Sequence, residues 1–531
     1  MPVNGAKKEG GILAVVLTVY DGASCIGGSK IILNDGGAAL LLDFGINFKS
    51  EGAFFDEFLQ PRSTFGFSDL LALGLLPPLK GLYRPDLEYP GIWDRYSGHP
   101  LFREVEVQGV LLSHAHFDHC GHFTYLHQDI PVYASLTGAA VCKALQDTAG
   151  GEICYITPRE LKDGLIRATG YRQVPYEQKI YHAFNCESVP PGMASFWRQC
   201  DSARGLNCKP LKACGNETSI ADLPVRFWPV DHSIPGAGAY ALKTSAGWVV
   251  YTGDLRLHGK QGALTRQFIN EAASLKPAVL VCEGTHPEVK RPVTENEVAA
   301  NSFEAVKKEK GLVVADFGPR NIERLLSFLE IAGGTDRLLV LTSKDVYLLE
   351  ALRAAGETGV PDPCADGRIA LYVRPRAVRQ KWEDSLLARF GERAPERLVD
   401  AVRVRAAPGG YILCFSYYDF HAFLDIEPQG GTYIYSSSEA FSEEMLLDHE
   451  RVRNWIGLFG FKLYGSLGRD RESSGFHASG HIHGPGIEEM VETIRPSVLV
   501  PVHTENREFF RRFEGICRVV YLQNGESFTI G

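Results

Sequence analysis

No stretch of the 531 residues is apolar for long enough to cross a membrane: the best candidate, ILAVVLTVY at 12–20, is strand length, against the roughly 18 residues a bilayer span needs. Lys7 and Lys8 stand before it without the apolar region and cleavage site of a secretory leader. The chain therefore reads as a soluble, cytosolic (cytoplasmic) protein with no membrane partner. Excess positive charge is missing too. With 55 Lys and Arg against 64 Asp and Glu, a net charge of -9, the surface as a whole offers no electrostatic footprint for nucleic acid, and any such contact needs a local basic groove. No internal repeat or low-complexity tract supports a repeat architecture. The twelve cysteines form no dense framework, which suits a reducing compartment. Only Cys186, Cys200, Cys208 and Cys214 cluster, and their wide spacing without a CxxC knuckle favours loop or core thiols over a structural zinc site. The remaining composition, 45% hydrophobic and 22% charged, is that of a globular chain long enough for two or more domains.

What is present is LLSHAHFDHCGH, residues 111–122, with four imidazoles and a carboxylate directly behind an apolar run. Val110-Leu111-Leu112, bounded by Gly109, predicts a buried strand that delivers Ser113 and the histidines at its C-terminal end. His114, His116, Asp118 and His119 cannot share one face of a helix or strand. A turn can converge them, and neutral imidazole with carboxylate is a zinc donor set. His122 and His127 read as core or surface residues. Four other apolar runs stop at residues able to bind or orient a metal: AALLLDFG at Asp43, RFWPVDHS at His232, GWVVYTGD at Asp254 and SVLVPVHT at His503. On this reading His114, His116 and His232 make one site, Asp118, His119 and His503 a second, and Asp254 bridges the two metals.

The series Asp43, His114-Ala115-His116-Phe117-Asp118-His119, His232, Asp254 resembles the ordered motifs of the metallo-β-lactamase superfamily. VCEGTH with Glu283, ASGHIHG with His481 and VPVHTE with His503 resemble the additional motifs of the β-CASP nucleases, and the stretch from His232 to Gly259 is similar to its counterpart in RNase J proteins. The resemblance implies an α/β fold: a metallo-β-lactamase αββα sandwich with an inserted β-CASP α/β domain, divided as 1–288, 289–468 and 469–531. The punctuation agrees. A break at Pro287 is followed by GLVVADFGPRNIERLLSFLEIA and RLLVLTS, read as strand, Gly-Pro turn, amphipathic helix and strand. The return is expected at the glycine- and serine-rich LYGSLGRDRESSG, followed by a helix with Ile487, Met490, Val491 and Ile494 on one face and Pro496 closing it. Little chain follows His503, so the separate C-terminal domain of many bacterial RNase J proteins is not expected. Residues 145–222 carry no functional reading, and the aromatic, proline-punctuated segment beginning near residue 54 reads as core packing in preference to a cleft rim.

Phosphodiester hydrolysis needs a nucleophile, charge relief on phosphoryl oxygens and a proton for the leaving oxygen. Two zinc ions, with manganese as a substitute, meet the first two needs. The resemblance assigns catalysis to Asp118, Glu283 and His481. An imidazole has the right intrinsic pKa for the acid, and Glu283 is able to orient it. His477, Ser479 and His481 are candidates for holding a substrate phosphate, and Asp43 for orienting a ligating histidine from behind. Histidine at 503, in place of the valine of DNA-acting relatives, tilts the implied substrate to single-stranded RNA over DNA, with 5′-end digestion favoured by the likeness to RNase J and internal cuts allowed by the same centre. A DNA-directed relative, a small-molecule metallo-hydrolase and a noncatalytic RNA-binding relative are the rivals. The second needs neither Glu283, His481 nor the insert, and the third is recognised by lost ligands. The sequence leaves the oligomeric state open.

Overall fold

The apolar runs become strands, and the strands form two sheets laid face to face. A computed structural model describes residues 14–170, 173–202, 204–437, 443–468 and 474–531; Lys7, Lys8 and residues 469–473 of the expected return crossing lie outside the described residues. The first sheet has eight strands, running from Lys212–Ala213 at one edge through Tyr181–Phe184, Val132–Ser135, Gly109–Leu111, Ala38–Phe44, Lys30–Asp35 and Val15–Asp21 to Glu526–Ile530. The second has seven: Glu217–Ile220, Leu223–Pro229, Gly238–Thr244, Gly247–Tyr251, Val279–Glu283, Val498–Val502 and Arg518–Val519. Val15, Leu17 and Val19 show the period of two that a sandwich demands, burying one face while Val16, Thr18 and Tyr20 stay half-buried. They share a core with Leu40 and Leu42 of their own sheet and with Tyr240, Leu242, Val249, Val281 and Val500 of the facing one.

Helices cover both outer faces. Leu136–Ala149 packs Ala139, Ala140 and Cys142 against Leu41, Val110 and Val132 of the first sheet. On the far side Gly262–Ser274 and Gly484–Ile494 lay Phe268, Ile269, Ile487, Met490, Val491 and Ile494 over Ala241, Val250, Leu280 and Leu499. The latter helix starts with Pro485 in its first turn, where the missing N–H costs nothing, and stops at Arg495 in the left-handed region before Pro496. Truncating the fully buried Ile487 to Ala would cost about 2–5 kcal/mol. The layers thus run helix, sheet, sheet, helix.

Strands Val279–Glu283 and Val498–Val502 are parallel neighbours, yet the chain between them builds a third sheet of seven strands, all parallel, from Leu398–Val399 to Phe461–Tyr464 with Val313–Asp316 inside it. The strand, turn, helix and strand read from residues 311–343 are Val313–Asp316, the loop to Asn321, Ile322–Gly334 and Leu338–Leu341. Thr294 and Glu297 close a capping box at the head of helix Glu295–Lys308. The third sheet's helix Ser343–Ala354 docks on Leu136–Ala149, where the Tyr347 hydroxyl donates to Asp147 at 2.8 Å. The α/β reading therefore holds. The segment near residue 54 divides: Phe67, Leu70, Leu71 and Tyr83 are core, whereas Phe58 is 91% exposed. The described residues of 145–222 comprise the end of helix Leu136–Ala149, short strands in the first sheet and in small separate sheets, helix Pro191–Arg198, and strand Glu217–Ile220 at the edge of the second sheet. Among the described residues no helix is long and apolar enough to cross a membrane.

Candidate metal centre

Every candidate donor except His481, which precedes helix Gly484–Ile494, lies at or beyond the carboxyl end of a strand in the facing sheets. Strand Gly109–Leu111 runs into His114 and His116, and the turn of helix Phe117–Cys120 brings round Asp118 and His119. Asp43 is the bulged residue where Ala38–Phe44 slips register against Lys30–Asp35, and His503 directly follows Val498–Val502. Both have left-handed backbone, with φ of 58° and 51°, an arrangement that costs a non-glycine residue free energy and re-aims its side chain. His232 and Asp254 lie a few residues beyond Leu223–Pro229 and Gly247–Tyr251. Two glycines permit the closure: a Cβ on Gly45 would sit 1.7 Å from the Asp118 carbonyl oxygen, and one on Gly480 would sit 2.8 Å from His232 Cε1.

The donors fall into overlapping groups, each with donor atoms within 4.8 Å of one another: His114, His116 and His232; Asp118, His119, Asp254 and His503; and Asp254, Glu283, His481 and His503. Asp254 reaches across, its Oδ2 standing 3.1 Å from His119 Nε2 and 3.7 Å from His114 Nε2. The partners behind the rings fix which nitrogens carry protons. The Gly480 carbonyl can only accept, so His232 Nδ1 donates to it at 2.5 Å. The Ser113 hydroxyl donates to Asp43 Oδ2 at 2.6 Å, so His114 Nδ1, 3.0 Å away, donates to Ser113. Asp43 Oδ2 also accepts from His119 Nδ1 at 2.7 Å and from the Tyr251 hydroxyl at 2.6 Å. The Thr285 hydroxyl donates to Glu283 Oε2 at 2.8 Å and in turn accepts from His503 Nδ1 at 2.9 Å. Four imidazoles are therefore anchored through Nδ1 and present Nε2 inward, while His116 presents Nδ1, 3.0 Å from His114 Nε2 and 3.2 Å from His232 Nε2. Such second partners are what hold ligating histidines in place.

Electrostatics separate the groups. Burial pushes His114 and His116 well below the usual histidine range and His232 down to about 4, which keeps these imidazoles neutral. For His119 and His503 burial works in the same direction but loses to Asp254 and Asp118, and both are raised. Asp118 and Asp254 are held low against their own burial, chiefly by His119. His119 Nε2 and both Asp254 oxygens are buried without a hydrogen bond. Bare nitrogens about 3 Å apart beside orphaned carboxylate oxygens suit cations, so the clusters could hold metal ions.

Beside them His481 Nδ1 lies 3.0 Å from Glu283 Oε2, while Glu283 Oε1 accepts from the Leu255 N–H at 2.8 Å. Ser479 faces two ways: its Oγ accepts from His481 N–H at 3.2 Å and its carbonyl accepts from Arg256 Nη1 at 3.1 Å. His477 is not gathered into these groups, and its Nδ1 turns to the Ser436 carbonyl at 3.3 Å. None of the groups found among the described residues includes Cys186, Cys200, Cys208 or Cys214. His122 is buried and packs near Phe44.

The sequence reading placed Ser113 at the strand end without a role and missed Tyr251 and Thr285. Only Thr285 left a signal, a hydroxyl two residues past a strand-end carboxylate. It also missed Arg256, two residues past Asp254, whose fully buried guanidinium bonds Asp231 at 3.0 Å, Glu295 at 2.9 Å and Glu323. Glu295 bridges on to Arg324 at 2.8 Å, and Arg324 bonds the Ser436 carbonyl, so one ion network joins the facing sheets to the third.

Ribonuclease J of Sinorhizobium meliloti is 25% identical to this chain over 331 residues, 60% of the chain and 53% of that protein. Ribonuclease J 2 of Streptococcus pyogenes is 22% identical over 326 residues, 59% of the chain and 53% of that protein, and ribonuclease J2 of Bacillus subtilis 22% over 287 residues, 53% and 47%. The chain is a relative of the ribonuclease J proteins. The relationship implies a metallo-β-lactamase fold, although the match spans only about half the length of these curated relatives. A crystal structure of a protein of unknown function from Enterococcus faecalis superposes with a TM-score of 0.65 at 20% identity, covering 97% of this chain and all of that one, and so shares the fold. No family model matches the chain.

Proposed function

We propose that this chain is a zinc-dependent ribonuclease that hydrolyses phosphodiester bonds of single-stranded RNA, working mainly from the 5′ end. The observation that carries the reading is the shared position of Asp254, whose carboxylate touches both ligand groups and lies 3.6 Å from His481. In this reading the facing sheets are the metallo-β-lactamase body and the third sheet the β-CASP insert, divided at 1–288, 289–468 and 469–531. His114, His116 and His232 would hold one zinc, Asp118, His119 and His503 the other, with Asp254 shared and manganese a substitute. Two such ions would polarise a water and relieve the charge that develops on the phosphoryl oxygens.

The chain's own groups supply the rest. Both Glu283 oxygens are occupied by donors, so it serves to orient His481. His481, part-exposed beside the ligands, is the acid that protonates the leaving oxygen. Asp118, the more exposed carboxylate of the pair, is placed to accept a proton from the attacking water. The hydrogen of the Ser479 hydroxyl remains free to donate to a phosphate oxygen, and His477 borders the same loop. Asp43 locks the His119 tautomer.

End-labelled single-stranded RNA and DNA of one sequence, carrying 5′-monophosphate, triphosphate or hydroxyl ends, test this directly. Chelator-sensitive release of mononucleotides from RNA, restored by zinc or manganese, is expected. Binding without cleavage, or cleavage indifferent to chelation, would overturn it; equal or faster cleavage of DNA would remove the RNA assignment, and internal cuts blind to the 5′ end the exonuclease one.

A further inference from the structure

Two arginines four residues apart meet opposite fates at the head of helix Ile322–Gly334. Arg324 is saturated: both of its outer nitrogens and Nε bond Glu295 or Ser436. Arg320 makes no side-chain hydrogen bond and no ion pair among the described residues, although its Nη1 is sealed from solvent. It is held by shape instead. Phe317 stacks on Phe328 with rings 5.4 Å apart, Asn321 caps the helix, and the Gly-Pro turn between them projects Arg320 onto the Phe117 ring, its Cζ 5.4 Å from the centroid. Phe117 lies in the chain between His116 and Asp118, so the third sheet delivers a cation to the ligand loop of the facing sheets. Burial lowers the Arg320 pKa, whereas carboxylates outweigh burial and raise that of Arg256. A half-buried guanidinium with one sealed nitrogen and no partner is costly unless an anion completes it, and its planar fork fits phosphate oxygens.

We propose that Arg320 is a phosphate-binding residue, taking the non-bridging oxygens of a substrate phosphate beside His116 and Asp118. This rests on the phosphodiesterase reading above. The phosphate is either an internal diester of the strand or a terminal monoester, two sources with one recognition chemistry.

The test is equilibrium binding of a short single-stranded RNA with cleavage-resistant 2′-O-methyl sugars, read by fluorescence anisotropy across salt concentrations, with 5′-hydroxyl and 5′-monophosphate versions. Arg320→Gln is expected to weaken binding by about 10–100-fold, the weight of one charged hydrogen-bonded contact, and to reduce the slope of log affinity against log salt by about 0.7. Arg320→Lys should restore the slope but only part of the affinity. In steady-state cleavage, KM should rise far more than kcat falls, with metal content and thermal unfolding unchanged. Loss confined to the phosphorylated probe assigns the terminal phosphate; loss with both assigns an internal one. Unchanged affinity and slope in Arg320→Gln, or loss of metal from that variant, overturns the inference. Normal RNA binding by the wild type without cleavage would sink the enzymatic reading while leaving Arg320 to stand or fall on its own slope, and failure of the wild type to bind either probe would sink both.

Discussion

The facing sheets and the third sheet are made of the same material and end differently. Val279–Glu283 and Val313–Asp316 are both short runs buried at every position. In the third sheet the polar residues that follow close on themselves: Thr342 and Asp345 cap their own helix, and Asp316 accepts from the Tyr433 hydroxyl. In the facing sheets they are backed on one side and left bare on the other, as with His119, held by Asp43 through Nδ1 and orphaned at Nε2. A strand-end polar residue that finds its partner locally is structural. One anchored from behind with its inward atom left without a hydrogen bond is set up to meet a further group.

That contrast can be broken experimentally. His232→Ala removes a donor from the three-imidazole group, and we expect the largest effect, with metal stoichiometry by elemental analysis falling and cleavage dropping by more than in any variant below. His481→Ala should leave metal content intact while slowing cleavage by about 10²–10⁴-fold, the weight of one acid-base group; loss of metal from this variant would make His481 a ligand, as its grouping with Asp254, Glu283 and His503 allows. Asp43→Ala takes away only the partner behind His119, so a loss of about 10–100-fold in metal affinity or activity is expected from a chelator-competition titration.

The smallest effect on turnover should come from Glu295→Gln, which cuts the network joining the sheets and is read as stability. Removing it leaves Arg256 and Arg324 short of a carboxylate, a loss of about 3–5 kcal/mol at neutral pH. Burial opposes ionisation of Glu295, but Arg324 and Arg256 win and lower its pKa from 4.5 to about 2. A depressed folded pKa contributes stability that is complete above 4.5 and lost as pH falls from 4.5 through about 2, so the wild type should lose roughly 3 kcal/mol across that window. Thermal melts of both proteins should converge as pH falls through it; a constant gap would show that the charge of Glu295 is not what matters.

The legible parts of the sequence were those where local pattern and tertiary role coincide. The five apolar runs are strands; most are short runs buried at nearly every position, as a strand covered on both faces must be, while Leu223–Pro229 alternates buried and more open positions. Helix Gly484–Ile494 was legible from its apolar face and its closing proline. Residues 145–222 were opaque because strands such as Tyr155–Ile156, Leu206–Asn207 and Lys212–Ala213 have two residues each and too little length for any period. At the site the donors stood out as residue types, but the residues that aim them did not. Ser113, Thr285 and Tyr251 are ordinary until a distant chain segment arrives behind an imidazole, and nothing near Arg256 or Arg320 in the sequence tells which guanidinium will find carboxylates and which a ring.

The span of the candidate centre has a consequence for how the molecule comes into being. His503 meets Thr285 across 218 residues and Asp118 across 385. Contacts so remote form late, since the intervening chain must be closed before they reward it. During synthesis the first ligand loop, the third sheet and the ion network can all settle while Val279–Glu283 still lacks Val498–Val502 beside it. Until that strand slots in, His503 is missing from the centre, so a chain still being made holds an incomplete donor set, and on the proposed reading it would be inert toward RNA.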